Sequence, residues 1–562
     1  MAKSGQHGGL GRYSQFVTAS ESGTLGLKPE PDDIDAARAR TATSRATNDH
    51  WATPPAYPVP LRPPTSSQQG EGGQSAGSNE KGRLFGVSRD RITAKRSPLA
   101  KIGLAVGFGM ILAVLSLAVN HSPADGPTAT VADEVTGDPL YVVESPAGPP
   151  PTMMSSQAVE APLNPNAIFV SALSGTGENS GTTIDSPLQS LQTALDRVQP
   201  GETIYVMDGR YGELDEPGNA HYVLRRGGTP EAWVRIENAP GHRPEIVATD
   251  GNGFEVRANY VEVIGLRVRG EGFDPEGNPW GNGMLIRNSH HVNLVDNEIS
   301  DMPSNGISAV ESSNLGVIGN DVHDNAFWNT AQNSGISFWH SRDHGQPPDA
   351  DGYYDRIIGN RIYRNENKVM SRWHNYEVIS DGNGIIIDAG LDTGYSNRIL
   401  VLNNEIFDNG GRAVLVYRSA NVDVLFNTTY RNARTPELMG RPAELAAGQA
   451  RNVRFINNLV WPLEGSHGLR LVETDNAETA GNLIVTSGEP GSISSADGVT
   501  ATAPDLANPS IDENTADFRL RPGSPATGAA VDVSPNVKHD RDGNERSGQP
   551  PTVGAYVLVD RG

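Results

Sequence analysis

The chain has 562 residues, a formal net charge of −22 and no cysteine, which excludes disulfides, thiolate metal sites and cysteine nucleophiles. Residues 1–101 carry 14 basic against 9 acidic side chains (+5), and the remainder carries 31 against 58 (−27). Nucleic-acid phosphates require clustered basic side chains, so this acidic body disfavours nucleic acid as a partner.

The first hundred residues predict a disordered cytoplasmic tail. Residues 1–101 are rich in Ser, Gly, Pro and charge, with almost no apolar periodicity. A segment of this composition does not bury enough apolar surface to fold alone. We expect such a tail to be accessible to a cytoplasmic partner.

An uncharged segment follows the tail and predicts a membrane anchor. Residues 102–119 are 18 residues without a charge, close to the shortest helix that spans a bilayer. Basic residues precede the segment closely, and the next one after it is Arg197. This asymmetry predicts a single-pass protein of the inner or plasma membrane, with a cytoplasmic N-terminus and a periplasmic or extracellular body. A cleaved signal peptide is the alternative, but its charged leader would be unusually long.

A proline-containing linker at residues 120–165 leads to the body, which we place at residues 166–499. The body opens with a strand and a glycine turn, and a helical pattern follows before Pro200 and Gly201 end it. The apolar residues with helical spacing are Leu188, Leu191, Ala194, Leu195 and Val198. One amphipathic helix before the first repeat predicts an N-terminal cap.

Seven asparagines recur in one local setting along the body. Their spacings are 23, 40, 44, 23, 31 and 24 residues, so the long gaps resemble the short unit with an insertion. The positions are Asn297, Asn320, Asn360, Asn404, Asn427, Asn458 and Asn482. A fixed period with short apolar strands in each unit is typical of a solenoid. Stacked units would place each asparagine above the last, with its amide bonded in a buried turn. The period therefore predicts a parallel β-helix.

Three sequence features resemble a known group of proteins. They are the opening IFVSALSGTG…SPLQSLQTALDRVQPGETIYVMDGRY, the N-x-[IV] ladder and the closing SPA…GAY. Together they resemble secreted right-handed parallel β-helix proteins of the pectate lyase, chondroitinase B and alginate lyase superfamily, over residues 167–557. The resemblance implies an all-β fold, a right-handed parallel β-helix, with residues 500–562 as a C-terminal cap. This scaffold hosts lyases, hydrolases, epimerases and adhesins, so the fold does not decide the reaction.

Aligning the repeats on the glycine that starts one strand predicts an outward column. The fourth residues after the glycine are Arg287, Val310, Trp339, Asp388 and Tyr417, and the next are Asn288, Glu311, His340, Ala389 and Arg418. Aromatic rings beside charges suit sugar rings and their carboxylates. We therefore predict Trp339, His340, Trp373 and Tyr417 as substrate-binding residues. The alternative is that Trp339 and Tyr417 only cover a packed loop.

The two longest gaps add loops rich in charged residues, within residues 340–354 and 365–384. Elimination from a uronate needs a group that neutralises its carboxylate, a base for the C5 proton and a proton donor for O4. The resemblance implies calcium for the first task and Lys or Arg as the base. Base candidates are Lys368, Arg372 and His374, and Arg418 or Tyr417 would stabilise or protonate.

Three aspartates close in sequence are the predicted calcium ligands. Asp381, Asp388 and Asp392 belong to one repeat, and carboxylate oxygens are the ligands that calcium prefers. The Asp-Gly-Asn-Gly stretch that begins at Asp381 is equally typical of a turn.

These observations predict a membrane-anchored, outward-facing enzyme acting on an acidic polysaccharide, as a lyase or an epimerase. Two alternatives stay open at this point. One is a non-catalytic polysaccharide-binding or assembly factor, and the other is a glycoside hydrolase that pairs Asp381 with Asp388. The pair His290 and His291 is interpreted as an exposed turn.

Overall fold

The computed structural model describes residues 163–374, 376–485, 497–501, 504–533, 536–546 and 551–559, together with the short strand Val142–Val143. The predicted tail (1–101), the predicted anchor (102–119) and most of the predicted linker lie outside the described residues.

Three parallel ladders of strands build the body, and the predicted parallel β-helix is confirmed. The ladder that carries the candidate site is called the front sheet, and its described strands pair in parallel. They are Ala220–Leu224, Asn252–Val256, Met284–Arg287, Ile307–Val310, Ile336–Trp339, Ile385–Asp388, Val414–Tyr417, Ala443–Gly448 and His467–Val472.

The other two ladders complete each coil. The second ladder consists of Ala167–Val170, Thr203–Val206, Val234–Asn238, Val261–Ile264, His290–Val295, Ser313–Ile318, Asp355–Ile358, Ile399–Leu402, Ala420–Leu425, Arg451–Ile456 and Asp475–Val485. The third consists of Arg210–Tyr211, Glu245–Ala248, Arg267–Gly270, Glu298–Ser300, Asp321–His323, Arg361–Tyr363, Glu405–Phe407, Thr428–Tyr430, Leu459–Trp461 and Asp497–Ala501. The strand Asp475–Val485 pairs with neighbours in both ladders.

The seven predicted asparagines stack in the turn between the second and third ladders. Asn320 is representative: its backbone N–H donates to Oδ1 of Asn360 at 2.9 Å, and its Nδ2 donates to that oxygen at 3.0 Å and to the Leu294 carbonyl at 2.9 Å. Each buried amide thus satisfies backbone groups that a turn would otherwise leave unpaired.

A second asparagine ladder, which sequence analysis missed, follows the third ladder of strands. It consists of Asn325, Asn365, Asn409 and Asn432, and Glu444 takes the next position. Both asparagine ladders hold the turns in the same place from coil to coil. The front strands therefore begin in register.

Inward positions of the front strands form the core, as the alternation predicts. Ile307, Ile336, Phe338 and Ile385 have no exposed surface, and Ala309 and Ile387 are only 2% exposed. The residues between them point away from the core, which leaves the outer face of the front sheet for other contacts.

The predicted helix lies against the first front strand. The structure places it at Leu191–Arg197, where the Ser190 side chain accepts a hydrogen bond from the Thr193 N–H. The amide of Gln192 donates to the Val223 carbonyl and accepts from the Val223 N–H, both at 3.0 Å. The side chain thus takes the place of a neighbouring strand at this sheet edge.

The predicted membrane localisation requires a correction. Among the described residues no helix is long and apolar enough to cross a membrane. The α-helix Leu191–Arg197 has seven residues and spans about 10 Å, whereas the hydrocarbon core of a bilayer is about 30 Å thick. This finding overturns the prediction of a single-pass membrane protein with an outward-facing body.

The C-terminal residues pack along the side of the β-helix. Arg546 is buried, and its Nη2 donates to Oδ1 of Asn403 at 2.8 Å. The Ala555 N–H donates to Oγ1 of Thr428, and the Val531 N–H to Oδ1 of Asn457, each at 2.9 Å. The segment includes the antiparallel pair Leu506–Asn508 and Asp517–Leu520, and the strand Asn536–Val537, which pairs with Val142–Val143.

Candidate functional site

Trp339, Asp388 and Tyr417 lie side by side on successive front strands. Trp339 pairs in register with Asp388, and Asp388 with Tyr417, so the residues are separated by single strand spacings of about 4.8 Å. Arg287 and Val310 continue this column on the preceding strands. The side chains of Trp339, Asp388 and Tyr417 are half-buried. The register that sequence alignment predicts is therefore present in the fold.

The aromatic rings of this column lie on the sheet itself. A Cβ added at Gly448 would come within 3.2 Å of Cδ2 of Tyr417, so this ring covers the neighbouring strand. The imidazole of His340 stacks on the ring of Trp339 with 3.8 Å between centroids and 17° between planes. The two rings thus form one flat apolar surface at the end of the strand Ile336–Trp339.

The chain turns directly after the column. His340, Ala389 and Arg418 all have left-handed backbones, with φ of 52°, 59° and 47°. Their N–H groups each donate at 3.0 Å to the carbonyl of the next coil. Because the turn repeats in register, it brings His340 and Arg418 to the same edge of the front sheet.

Asp392 connects His340 with Arg418 at this edge. It lies on the 3₁₀ turn Gly390–Thr393, and its Oδ1 accepts a hydrogen bond from Nη2 of Arg418 at 2.5 Å. Its Oδ2 lies 3.7 Å from Nε2 of His340. Burial lowers the pKa of His340, against the opposing effect of the Asp392 carboxylate. The imidazole is therefore neutral at neutral pH.

Asp388 carries an acid group that titrates near neutrality. Burial, together with the Asp381 and Asp392 carboxylates, raises the pKa of Asp388 to about 7, against the opposing effect of Arg418. A carboxyl group with this pKa can give or take a proton at neutral pH.

Asp381 is held at the start of the same coil. Its Oδ1 accepts a hydrogen bond from Nδ2 of Asn383 and its Oδ2 accepts one from Oγ of Ser380, both at 3.0 Å. Burial raises its pKa, while the nearby Arg412 and His374 lower it. The Asp381 carboxylate in turn contributes to the raised pKa of Asp388.

Arg412 is a site residue that sequence analysis missed. It is buried, its Nη2 donates to the Met439 carbonyl at 2.8 Å, and burial lowers its pKa. In the sequence, Arg412 comes directly before Ala413, which takes the place of the aligned glycine in this repeat. This position at the start of a front strand could have identified Arg412 as a candidate. An arginine there adds a buried positive charge beside Asp381.

The predicted base candidates lie on the opposite side of the front sheet from Arg418. Lys368, Arg372 and His374 belong to the loop that leads into the strand Ile385–Asp388. Nζ of Lys368 lies 3.7 Å from the centroid of Phe327, and Nδ1 of His374 lies 3.0 Å from Oγ of Ser371. A four-residue strand is about 13 Å long, so the predicted catalytic residues flank the sheet and do not form one cluster.

The predicted substrate-binding residue Trp373 also belongs to this loop. Cζ of Arg372 lies 4.5 Å from the centroid of Trp373, and Nε1 of Trp373 donates to the Ala331 carbonyl at 2.8 Å. Trp339, His340 and Tyr417 lie at the other side of the sheet. A bound polymer that touched all four would run along the front strands, from their starts to their ends.

The predicted calcium ligands do not form one ligand set in this structure. Both oxygens of Asp381 accept hydrogen bonds from its own loop, and Asp392 is engaged with Arg418. Among the residues that the structure describes, no group of three or more histidine or acidic side chains is arranged to hold a metal ion. The calcium site stays a prediction.

Comparisons with known proteins address the fold. Residues 168–385 match a family model described as "Pel9A-like, right handed beta helix region". The resemblance to right-handed parallel β-helix proteins is confirmed. No curated protein matches the chain.

Several solved structures are similar to this β-helix. The crystal structure of pectate lyase Pel9A is 17% identical, covering 70% of this chain and 96% of that one, with a TM-score of 0.43. A rhamnogalacturonan lyase is 14% identical, covering 66% and 95%, with a TM-score of 0.37. The GH136 lacto-N-biosidase from Eubacterium ramulus is 14% identical, covering 57% and 56%, with a TM-score of 0.35. Residue roles therefore rest on the geometry of this site.

Proposed function

We propose that the protein is an enzyme that cleaves an acidic polysaccharide by β-elimination across the front sheet. The observation that carries this proposal is the column of Trp339, Asp388 and Tyr417, which combines an aromatic surface, a carboxyl group titrating near neutrality and a phenol on adjacent strands. Arginine and aromatic side chains beside such a group suit a uronate unit. The similar pectate and rhamnogalacturonan lyases are consistent with this substrate class.

The reaction needs three groups that act on adjacent atoms of one sugar unit, and the edge of the front sheet at Arg418 supplies candidates for them. Arg418 would pair with the uronate carboxylate, and the imidazole of His340, which lies 3.7 Å from the Asp392 carboxylate that Arg418 binds, would take the C5 proton. Lys368, Arg372 and His374 lie at the other edge of the sheet. The C5–H electrons then form the C4–C5 double bond, the C4–O4 bond breaks, and neutral Asp388 gives its proton to O4. If the electron pair left at C5 instead took a proton from the opposite face while the C4–O4 bond stayed intact, the product would be the C5 epimer.

A product assay tests this proposal. The full chain is incubated with a panel of uronic-acid polymers, with and without added calcium. Cleavage is followed by the ultraviolet absorbance of the new double bond, and epimerisation by NMR. We expect unsaturated products from at least one polymer. Polymer binding without either product would contradict the enzyme and favour the non-catalytic binding factor.

One observation also supports a glycoside hydrolase. The Asp381 carboxylate contributes to the raised pKa of Asp388, and burial raises the pKa of both. Hydrolases use two carboxyl groups separated by about 5 to 9.5 Å, one as acid and the other as base or nucleophile. New reducing ends without unsaturation in the same assay would favour this reaction over elimination.

A further inference from the structure

Two adjacent histidines face each other where the chain enters the second-ladder strand His290–Val295. Nδ1 of His290 lies 2.8 Å from Nδ1 of His291, and the two ring planes meet at 82°. His291 has a left-handed backbone with φ of 53°, so the chain bends here as expected for a turn. The predicted exposure is wrong, because both side chains are half-buried.

Neighbouring rings fix the orientation of both imidazoles. The ring of Tyr260 stacks on that of His291 with 4.8 Å between centroids and 25° between planes, and it meets the ring of His290 edge-on at 5.3 Å. Trp233 packs edge-on against His291 at 6.2 Å. The ring of His344 lies 5.6 Å from that of His290. Side chains from three other segments of the chain thus hold the two Nδ1 atoms opposite each other.

The separation of these nitrogens matches that of two ligands on one metal ion. A bond from a metal to an imidazole nitrogen is about 2.0 Å long, so two such nitrogens at a right angle are about 2.8 Å apart. Right angles between neighbouring ligands belong to the square-planar geometry of copper(II) and nickel(II), whereas tetrahedral zinc places its ligands about 3.3 Å apart. Burial lowers the pKa of both His290 and His291, so both rings are neutral at neutral pH, the form that binds metals.

We propose that Nδ1 of His290 and Nδ1 of His291 chelate one copper(II) ion, with water in the remaining positions. The hydrogen bond between the rings requires a proton on one Nδ1. On metal binding this proton moves to Nε2 of the same ring, which leaves the lone pairs of both Nδ1 atoms for the ion. A chelate of two histidines needs no third side chain, and the described residues offer no group of three. The site does not depend on the proposed reaction, because no step of that reaction uses either histidine.

Copper binding by the untagged full chain tests the proposal without any polymer. Calorimetric titration with copper(II) measures Kd, and the EPR spectrum of the bound ion reports coupling to imidazole nitrogens. His290→Ser and His291→Asn each remove one ligand and introduce the residues of the next coil at these positions, Ser313 and Asn314. Asn314 also has a left-handed backbone, so the turn is retained. We expect each variant to raise Kd at least about 100-fold, since the second ligand of a chelate binds intramolecularly.

A histidine elsewhere in the body provides the control. Nδ1 of His242 lies 3.1 Å from Oδ2 of Asp208, and His242→Asn should bind copper as the wild type does. Copper(II) quenches nearby indoles, so the bound ion should quench Trp233, and Trp233→Phe should lack this part of the quenching. Unchanged copper affinity in either His290→Ser or His291→Asn would mean an adventitious ion only and overturn the proposal. A wild type that binds no copper would overturn it as well.

Discussion

Asp388, at the end of the front strand Ile385–Asp388, determines the expected pH dependence of the proposed reaction. Burial raises its pKa to about 7, so the neutral form that donates to O4 predominates below this pH and disappears above it. We predict that kcat/KM falls as the pH rises through about 7, because kcat/KM reports the pKa of the free enzyme. Asp388→Asn should lower kcat by about 10²- to 10⁴-fold, the usual contribution of a general acid, and remove this pH limb.

The measurement is a set of profiles of kcat/KM against pH for the wild type, Asp388→Asn and Asp475→Asn. Asp475 is an exposed aspartate at the start of the second-ladder strand Asp475–Val485 and serves as the control. If residual activity of Asp388→Asn kept the same limb, the titrating group would be another residue.

Glu444 shows how a single buried carboxyl group affects stability. It has no exposed surface and accepts hydrogen bonds of 2.7 Å from both N–H and Nδ2 of Asn432, where it ends the second asparagine ladder. Burial raises its pKa from 4.5 to about 7, against the effect of these hydrogen bonds. Between these values the folded state retains a proton that the unfolded state has lost. Stability therefore falls as pH rises through this window, and the loss is complete above about 7.

Glu444→Gln does not titrate and should lack this component. We predict that the free energy of unfolding of the variant, relative to the wild type, increases by about 3 kcal/mol between pH 4.5 and pH 7.5. Urea unfolding at a series of pH values measures the difference, in which other titrating groups cancel. If the free energies of unfolding of the two proteins changed with pH in parallel, Glu444 would be ionised in the folded state as it is in the unfolded state.

At the scale of elements, the asparagine ladder between the second and third strand ladders connects consecutive coils. Asn360 donates to the Val317 carbonyl and to Asn404, and it accepts two bonds from Asn320, all between 2.9 and 3.0 Å. Asn360→Ala removes the side-chain partner of the buried Val317 carbonyl and Asn320 N–H, whereas Oδ1 of Asn404 keeps its bond from the backbone N–H of residue 360. We predict a loss of about 3 kcal/mol or more of unfolding free energy, because each unsatisfied buried group costs about 1–3 kcal/mol.

An exposed ladder of the same chemistry provides the control. Nδ2 of Asn452 donates to Asn421 at 2.8 Å, and Nδ2 of Asn476 donates to Asn452 at 2.8 Å. Asn452 has a φ of 53°, so glycine is the replacement that avoids backbone strain. Asn452→Gly should cost less than about 1 kcal/mol, since water replaces the lost partners. Equal losses in the two variants would show that stacking, not burial, carries the stability.

The same elements show what the sequence could reveal. The register of Trp339, Asp388 and Tyr417 was predictable because side chains alternate with a period of two and the aligned glycine fixes each start. The arrangement of the loops was not predictable, because it depends on contacts between coils, and a local sequence pattern contains no information about such contacts. Lys368 rests on Phe327, 41 positions earlier in the chain, and Arg418 pairs with Asp392, 26 positions earlier. A composition rich in charge indicated a functional loop without indicating which side of the sheet each residue would reach.

At the scale of the whole molecule, the C-terminal segment and the β-helix share one apolar cluster. Phe518 is 1% exposed, and its ring centroid lies 5.2 Å from that of Phe407 and 5.3 Å from that of Tyr430. These partners belong to neighbouring coils of the third ladder, and Leu520, Val553 and Tyr556 extend the cluster. Folding of the segment is thus coupled to the integrity of the coils beneath it.

Phe518→Ala tests this coupling. We predict a loss of about 3–5 kcal/mol of unfolding free energy, the usual cost of removing a buried phenylalanine, with the segment and the coils still unfolding together. The chain has seven tryptophans, so the part of the fluorescence that Trp461→Phe removes reports on Trp461, which packs edge-on against Tyr430, and circular dichroism reports on the strands. Ile511→Ala, at a side chain that is 47% exposed in the same segment, should change the free energy by less than about 1 kcal/mol. Coincident transitions by the two probes mean that the segment is part of the cooperative unit, whereas an early fluorescence transition would mean that it folds onto a β-helix that is stable without it.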